Sequence, residues 1–342
     1  MIIYITDEYD GRLLRSYLKL TLGLSTAVLA KLKNHERGIL VNGERVTVRY
    51  VLRRGDRLEL WDKDTPETAT EHVIPVNLPL DVLYEDDHVI ALNKPADMPT
   101  HPSHGHLEDT LGNALAYRYA EADEPFVFRP LGRLDRNTSG VVVAGKTRAA
   151  SGCLGRSLKE GLVVKRYIAL LAGELPVDHK VHTLIAPIYR PDERGICRAV
   201  GRDDTPGAVY AETRYRVLAA QDGLSLVLCR PITGRTHQLR VHLTHLGHPI
   251  FGDDLYGSPS SLIGRHALHA LSLSVPMPFV GKDRAIPEGD PSAITTLNAP
   301  SPDGYLHTLA PLPTDMRDIL QRYFPTSPLL HPSSDLLALL RI

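Results

Sequence analysis

The sequence predicts an α+β protein, in which a mixed, largely antiparallel β-sheet domain follows a small α-α-β domain. Short apolar runs separated by turn residues recur from residue 82 onward, as expected for the strands of a sheet. Two amphipathic segments and a hairpin pattern precede them, within residues 1–61. Between the two patterns lies an acidic segment with three prolines, residues 62–80, which is typical of a linker.

The N-terminal domain is predicted from helix, helix and hairpin signals in that order. Its first helix is indicated by apolar residues at helical spacing, and its second by Ser25, a residue type that caps helix N-termini. The dipeptide Asn42-Gly43, between two apolar or alternating runs, favours a tight hairpin turn. The apolar residues of the two helices are Leu13, Leu14, Tyr17 and Leu18, and then Val28, Leu29 and Leu32.

Charge is distributed unevenly along the chain. The formal net charge is −1, yet residues 1–60 contain eleven Lys or Arg against seven Asp or Glu. Residues 62–88, by contrast, contain one lysine and eight acids. A basic N-terminal domain is therefore followed by an acidic spacer that could not itself bind a polyanion.

The main domain is predicted to span residues 81–324. Its strand candidates are residues 82–84, 89–92, 141–144, 167–171, 210–217 and 224–229. Helices are expected at residues 111–119 and 236–246, and Gly247 is in a position to end the second of them. We interpret residues 278–304 as a surface insertion and residues 325–342 as a peripheral tail.

Asp135 is the strongest candidate for a catalytic residue. It lies between two arginines in the polar segment RLDRNTSG, residues 133–140, directly before a buried strand candidate. A carboxylate flanked by arginines can also be an ordinary surface ion pair, which contributes little. Further segments strengthen the catalytic interpretation: NKP (93–95), HPS (101–103), KRYIA (165–169), GRTHQLRVH (234–242) and GHPIFGD (247–253).

In order and spacing, these segments resemble the motif series of the RluA-type pseudouridine synthases, which isomerise selected uridines in structured RNA. The resemblance implies that Asp135 is the catalytic carboxylate and attacks or deprotonates the substrate. It implies that Arg235 pairs with Asp135 and keeps it ionised, and that Tyr167 stacks on the uracil. Apart from the resemblance, the alternatives are that Tyr167 is a core aromatic residue and that Arg235 is a solvated arginine in a turn.

The resemblance also implies contacts with RNA. Arg133 matches an arginine that helps to displace the flipped base, and Ile250 would supply an apolar wall. The basic N-terminal domain resembles the S-four-like RNA-binding domain, although an unrelated basic domain remains an alternative. The other residues expected to contact RNA are Arg136, Lys165, Arg240, Lys31, Lys33, Arg53 and Arg54.

The sequence departs from the family pattern at three positions. Gly132 replaces a usual histidine, Asn137 a usual aspartate and Asp97 a common glycine. Gly132 and Asn137 are closer to the sister RsuA-type synthases, whereas the GRTHQLRVH segment favours the RluA type. The missing histidine bears on substrate positioning rather than on the chemistry itself.

Several classes of site are not supported by the residues. Cys153, Cys197 and Cys229 lack metal-ligand spacing, and His242, His245 and His248 spread around a helix, so no metal is expected. There is no phosphate-binding glycine loop or dinucleotide fingerprint, so no cofactor is expected. No apolar run reaches about 18 residues and no signal pattern opens the chain. We expect a cytoplasmic, monomeric protein.

The predicted function is the isomerisation of specific uridines in ribosomal RNA, because an S-four-like domain favours a large structured target. A tRNA pseudouridine synthase and a non-catalytic RNA-binding assembly factor are the alternatives. A glycosidase is disfavoured, since it normally needs two carboxylates and these motifs offer one.

Overall fold

The computed structural model describes residues 2–61, 73–257, 259–278, 297–330 and 340. Part of the predicted linker, most of the predicted insertion and most of the predicted tail lie outside these residues.

A four-stranded antiparallel sheet and short helices form the N-terminal domain, with strand order β1-β4-β2-β3. The prediction missed β1 and β4, since each is short and their pairing joins residues far apart in the chain. The elements are β1 Ile2–Tyr4, a 3-10 helix Asp7–Tyr9, α1 Leu14–Ser16, a π-helix Tyr17–Thr21, α2 Thr26–Asn34, β2 Ile39–Val41, β3 Glu44–Arg45 and β4 Arg57–Leu60.

The predicted cap and turn of this domain are both found. The Ser25 hydroxyl accepts a hydrogen bond from the Val28 amide at 3.2 Å and begins α2. Asn42 and Gly43 both have positive φ, 54° and 86°, which a tight hairpin turn of the primed type requires. The Asn42 side chain also donates to the Asp56 carboxylate at 2.8 Å, which fixes the turn against the start of β4.

The second domain contains a ten-stranded sheet in the described part of the chain, and this confirms the predicted fold class. Its main path is β5-β6-β7-β14-β8-β13-β12-β9, and β16 joins β14 and β15. The described pairs are antiparallel except β7 with β14. The strands are β5 Val82–Glu85, β6 Val89–Lys94, β7 Ser139–Gly145, β8 Val164–Ala172, β9 His182–Ile185, β12 Glu212–Gln221, β13 Leu224–Pro231, β14 Leu268–Pro276, β15 Ala299–Pro300 and β16 Tyr305–Leu309.

Four helices and a small two-stranded ribbon complete this domain among the described residues. The two predicted helices are present, and the second is followed by Gly247 in a left-handed conformation, φ 88°. The ribbon packs on the second predicted helix through Ile188 and Val241. The elements are α3 Leu111–Glu121, α4 Arg148–Lys159, α5 Gln238–His245, α6 Thr314–Tyr323, and the ribbon β10 Ile188–Tyr189 with β11 Ala199–Val200.

The two domains are in direct contact through α4. Ala149 belongs to the same apolar cluster as the N-terminal helices, and the thiol of Cys153 lies 3.5 Å from the Leu22 carbonyl oxygen. A Cβ atom on Gly152 would lie 2.9 Å from the carbonyl oxygens of Leu22 and Gly23. The backbones therefore approach more closely than any side chain at position 152 would allow.

The described end of the predicted linker, residues 73–80, runs along the second domain. The Asn113 side chain of α3 donates to the Ile74 carbonyl at 2.7 Å, and the Val76 amide donates to the Asn113 carbonyl at 3.2 Å. Leu78 and Leu80 pack on the apolar cluster of α3 and β6. These residues are thus held against the sheet domain.

No helix in the part of the chain that the structure describes is long and apolar enough to cross a membrane.

The close approach at Gly152 predicts a specific mutational effect. Gly152→Val should lower the melting temperature and increase amide exchange in β2 and β4, because the new side chain forces the two domains apart. Gly155→Ala on the same helix is the matched control, since nothing lies within 4 Å of its Cβ position. The control should be neutral or stabilise by up to about 1 kcal/mol. Equal melting temperatures for Gly152→Val and the native chain would contradict the described contact.

Candidate active site

Asp135 lies in a turn directly before β7, and each backbone carbonyl of residues 134–137 in that turn accepts a hydrogen bond. The Leu134 carbonyl accepts from the Thr100 hydroxyl at 3.0 Å, and the Asp135 carbonyl from the Thr138 amide at 3.0 Å. The Arg136 carbonyl accepts from the Lys94 ammonium at 3.0 Å, and that of Asn137 from the Arg265 guanidinium at 3.0 Å. The backbone that carries Asp135 is therefore fixed from several directions.

Lys94, the middle residue of the NKP segment, is fully buried at the end of β6. Its ammonium donates to three carbonyl oxygens, those of Pro95 at 2.7 Å, Met98 at 2.7 Å and Arg136. Burial lowers the Lys94 pKa to about 7, and the charge of Arg265 adds to this, while Asp135 and Asp97 act in the opposite direction. A buried cation thus joins the turn after β6 to the turn that carries Asp135.

Arg265 plays a similar role from the other side of the turn. Its guanidinium makes a forked contact with Asp315 of α6, at 2.7 and 2.9 Å, while also holding the Asn137 carbonyl. The neighbouring His266 lies 2.8 Å from the Thr138 hydroxyl. The start of α6 is in this way tied to the turn before β7.

Two side chains approach the same carboxylate oxygen of Asp135. Arg240 Nη1 lies 3.7 Å and His237 Nε2 3.8 Å from Oδ2. These distances are too long for direct hydrogen bonds. The Asp135 side chain is 31% exposed. The carboxylate therefore lies beside both side chains and is still partly exposed.

Arg240 is itself held by Asp253 in a buried, forked ion pair. Nε donates to Asp253 Oδ2 at 2.7 Å and Nη2 to Oδ1 at 2.8 Å. Burial would raise the Asp253 pKa, but the hydrogen bonds and charge of Arg240 outweigh it and keep the pKa below its usual value. The Tyr256 ring lies on the guanidinium, 5.0 Å from Cζ to the ring centroid. Arg240 consequently has one orientation, with Nη1 directed toward Asp135.

The predicted pairing of Arg235 with Asp135 is wrong in this structure. Arg235 lies in the exposed turn before α5, and its Nε donates to the Tyr210 carbonyl at 2.9 Å. Arg240, five residues later and expected to contact RNA, is instead the arginine beside the carboxylate, and it is buried. The physical reason is that α5 begins only at Gln238, so Arg240 faces the sheet while Arg235 does not.

Tyr167 lies on β8, close enough to Asp135 for the carboxylate charge to affect its pKa. Burial raises its pKa, and the negative charge of Asp135 raises it further. The phenol therefore keeps its proton at neutral pH, since a raised pKa delays ionisation to higher pH. This protonation state suits a stacking role and disfavours a phenolate base.

Lys165 is two residues before Tyr167 on β8 and lies beside two glycines of the site. Its ammonium is 3.7 Å from the position that a Gly132 Cβ would take and 3.8 Å from that of Gly234. Burial lowers its pKa. The position where relatives usually carry a histidine therefore borders a half-buried ammonium.

Three other residues were expected to contact RNA, and the structure shows how exposed each of them is. Ile250 is fully buried in the core cluster of β8 and β13, so it cannot serve as an exposed wall for a substrate. Arg136 is exposed, and its Nη2 lies 2.7 Å from Asp97 Oδ1. Asp97 has a positive φ of 60°, which accounts for the glycine that is common at this position. Arg133 is exposed, as a contact with RNA requires.

The predicted basic residues of the N-terminal domain do not form one cluster. Lys33 borders a groove between α1 and α2 together with Arg15 and Lys19. Lys31 is exposed on the same helix but does not line the groove. Arg53 and Arg54 are exposed in the turn before β4, where Arg54 pairs with Asp7 at 3.1 Å.

Sequence reasoning missed His237, Asp253 and Tyr256 as members of the site. All three belong to or follow segments that were singled out, but residue type alone did not distinguish them from their neighbours. His237 carries one usable signal, since it stands directly before a helical run, where a ring at the helix N-terminus can face the sheet. Among the described residues no group of three or more His, Cys, Asp or Glu side chains could hold a metal ion.

Comparison with known proteins gives a consistent result. The family model for RNA pseudouridylate synthase matches residues 88–245. The RNA pseudouridine synthase YhcT of Bacillus subtilis is 36% identical over 324 residues, covering 94% of this chain and 97% of the relative. The ribosomal large subunit pseudouridine synthase D of Zymomonas mobilis is 33% identical over 294 residues, 82% of this chain and 90% of the relative.

A solved structure supports the fold. Human RNA pseudouridylate synthase domain containing 4 superposes with a TM-score of 0.52 at 24% identity, covering 71% of this chain and 92% of that chain. At this level of identity the match bears on the fold alone.

The geometry around Asp135 predicts different effects for the two arginines. Arg240→Lys should lower the single-turnover rate by about 100-fold, because lysine cannot hold Asp253 with a fork and also face Asp135. Arg235→Lys should change the rate by less than about threefold, since its side chain contacts only a carbonyl. Both rates should be measured at saturating enzyme, with RNA dissociation constants and melting temperatures as controls. A larger loss for Arg235→Lys than for Arg240→Lys would contradict this assignment.

Proposed function

The chain belongs to the RNA pseudouridylate synthase family, and we propose that it converts specific uridines of large-subunit ribosomal RNA to pseudouridine, with Asp135 as the reacting carboxylate. The observation that carries this proposal is the fixed turn of Asp135, in which a partly exposed carboxylate lies beside Arg240 and His237.

The reaction needs few groups. The bond between uracil N1 and the sugar carbon C1′ breaks, a bond between C1′ and uracil C5 forms, and a proton leaves C5 while N1 gains one. An ionised carboxylate can attack C1′ or remove a proton from the sugar, and Asp135 is the group available for either step. Because the turn is held by hydrogen bonds before any substrate arrives, little reorganisation accompanies the reaction.

The target nucleotide has to leave its stack to reach Asp135, as bases do in other enzymes that act on them. In this proposal the neutral phenol of Tyr167 supplies the stacking surface for the extruded uracil. Arg133, exposed next to the Asp135 turn, is in a position to fill the space that the base vacates or to contact the neighbouring phosphate. Lys165, whose ammonium lies beside Gly132 and Gly234, would add a positive charge to the site.

Ribosomal RNA is favoured as the substrate for two reasons. Relatives at 33–38% identity, such as those from Zymomonas mobilis and Nitrosomonas europaea, are named ribosomal large subunit pseudouridine synthase D. The N-terminal domain, which we interpret as S-four-like, also offers a basic groove to a second part of a large RNA. Two modest contacts with one RNA reinforce each other through effective concentration. The alternatives are a tRNA pseudouridine synthase and a non-catalytic RNA-binding assembly factor. We also propose that the enzyme is monomeric and cytoplasmic and needs no cofactor.

The substrate proposal predicts a loss of specific pseudouridines. In cells that lack the gene, at least one pseudouridine of large-subunit ribosomal RNA should disappear. The native chain should restore it and Asp135→Asn should not, since an amide can neither attack nor accept the proton. Pseudouridine mapping in ribosomal and transfer RNA measures both outcomes.

The other outcomes of that mapping are equally informative. A loss confined to tRNA would overturn the ribosomal target. Restoration by Asp135→Asn would support the assembly factor instead, provided that both proteins accumulate to equal levels.

The basic groove of the N-terminal domain predicts a salt-dependent effect. Lys33→Gln should weaken RNA binding and make the slope of log K against log salt shallower by about 0.7 to 0.9, the loss of one phosphate contact. Lys31→Gln removes the same charge from the same helix outside the groove and should have a smaller effect. Equal salt slopes for Lys33→Gln and the native chain would show that the groove does not bind RNA.

A further inference from the structure

His237 has a left-handed backbone conformation. It is the N-cap of α5 and lies in the left-handed region with φ 57° and ψ 18°. A non-glycine residue rarely adopts this conformation, and such strain often marks a functional constraint. Its effect here is to turn the imidazole toward Asp135, with Nε2 3.8 Å from Oδ2, and only 13% of the side chain is exposed.

The other ring nitrogen of His237 faces the hydroxyl of Tyr256. The distance from Nδ1 to the Tyr256 oxygen is 2.8 Å, so one of the two atoms must donate a proton to the other. A second contact favours donation by the hydroxyl. The backbone amide of Arg198, in the segment between β10 and β11, donates to the same hydroxyl oxygen at 2.8 Å.

We assign the proton of the hydroxyl to its contact with His237. An amide N–H can only donate, so the Tyr256 oxygen accepts from Arg198. Among the described residues, the hydroxyl's own hydrogen then has one acceptor within reach, Nδ1 of His237. With Nδ1 as acceptor, the proton of a neutral imidazole resides on Nε2, the nitrogen that faces Asp135.

The charges around His237 favour this neutral form. Burial lowers the pKa of His237, and Arg240 and Arg198 lower it further, whereas Asp135 and Asp253 raise it. The net direction is downward, so the ring is mainly uncharged at neutral pH.

We propose that Tyr256 is a positioning residue, which holds His237 as the Nε2–H tautomer so that this N–H is directed at Oδ2 of Asp135. The inference rests on the proposed role of Asp135. In the other tautomer a lone pair of Nε2 would face the carboxylate oxygen, and repulsion would turn Asp135 away from its position. Nε2–H and the Arg240 guanidinium together orient the carboxylate through Oδ2.

Further contacts place Tyr256 at the centre of this arrangement. Its ring lies on the guanidinium of Arg240 and meets the His237 ring edge-on, with centroids 5.7 Å apart and an interplanar angle of 84°. Its amide donates to Asp253 Oδ1 at 3.2 Å. The hydroxyl is the part of Tyr256 that bears on the tautomer, and it can be removed without removing the ring.

Tyr256→Phe is the variant that tests the proposal, because it keeps the ring contacts and deletes the hydroxyl. The single-turnover rate at saturating enzyme should fall by about tenfold or more, while RNA affinity stays within about twofold of the native value. Nitrogen-15 NMR of histidine-labelled protein, with the His237 signals identified by their loss in His237→Gln, should report Nε2–H in the native chain. In Tyr256→Phe it should report a mixture of tautomers or Nδ1–H.

A double variant separates this role from a merely structural one. In the His237→Gln background there is no tautomer to select, so adding Tyr256→Phe should cause little further loss of rate. A full additional loss there, or an unchanged His237 tautomer in Tyr256→Phe, would overturn the proposal. Because the tautomer is observed without substrate, its failure is distinguishable from a failure of the proposed RNA activity.

Discussion

The buried ion pair between Arg240 and Asp253 is the interaction on which the geometry of the site depends. A buried pair of this kind contributes little net stability, because both charges lose their hydration. Removing one partner, however, leaves an uncompensated charge and typically costs about 3 to 5 kcal/mol. The pair instead fixes the orientation of the Arg240 guanidinium. Two of its nitrogens bind Asp253, and the third, Nη1, faces Asp135.

The turn that carries Asp135 is likewise held in place by buried polar contacts. Its carbonyls are held by a buried lysine from β6, by Arg265 and by Thr100, groups that come from well-separated parts of the chain. Lys94 can hold the turn only from a buried position, and burial lowers its pKa to about 7. Its three carbonyl contacts at 3.0 Å or less favour the charged form that holds the turn.

Local signals in the sequence predicted the parts of the fold that short-range physics controls. The hairpin turn at Asn42-Gly43, the cap at Ser25 and helix α5 with its terminal glycine are all determined by neighbouring residues. The contact between Gly23 and Gly152 and the pairing of β1 with β4 join distant segments, and no local pattern reveals them. Asp135 was predicted as the catalytic residue because residue type, flanking charge and motif order agreed.

The sequence alone does not show which of Arg235 and Arg240 lies beside Asp135. Both arginines belong to one nine-residue segment, and either could reach a carboxylate by charge alone. The outcome depends on where α5 begins and on the left-handed backbone of His237, which are properties of the folded chain. Ile250 presents the same problem, because an apolar residue after a glycine turn suits a core and a pocket wall equally well.

The central claim is that this site is assembled before RNA binds, with Asp135 already directed at the position of the reacting sugar. A crystal structure of Asp135→Asn bound to an RNA that contains its target uridine tests this most directly. The account predicts an extruded uridine on Tyr167, its C1′ next to the side chain of residue 135, and Arg240 still paired with Asp253. A uridine that remains stacked in the RNA, or an Arg240 that has left Asp253 to bind a phosphate, would contradict it.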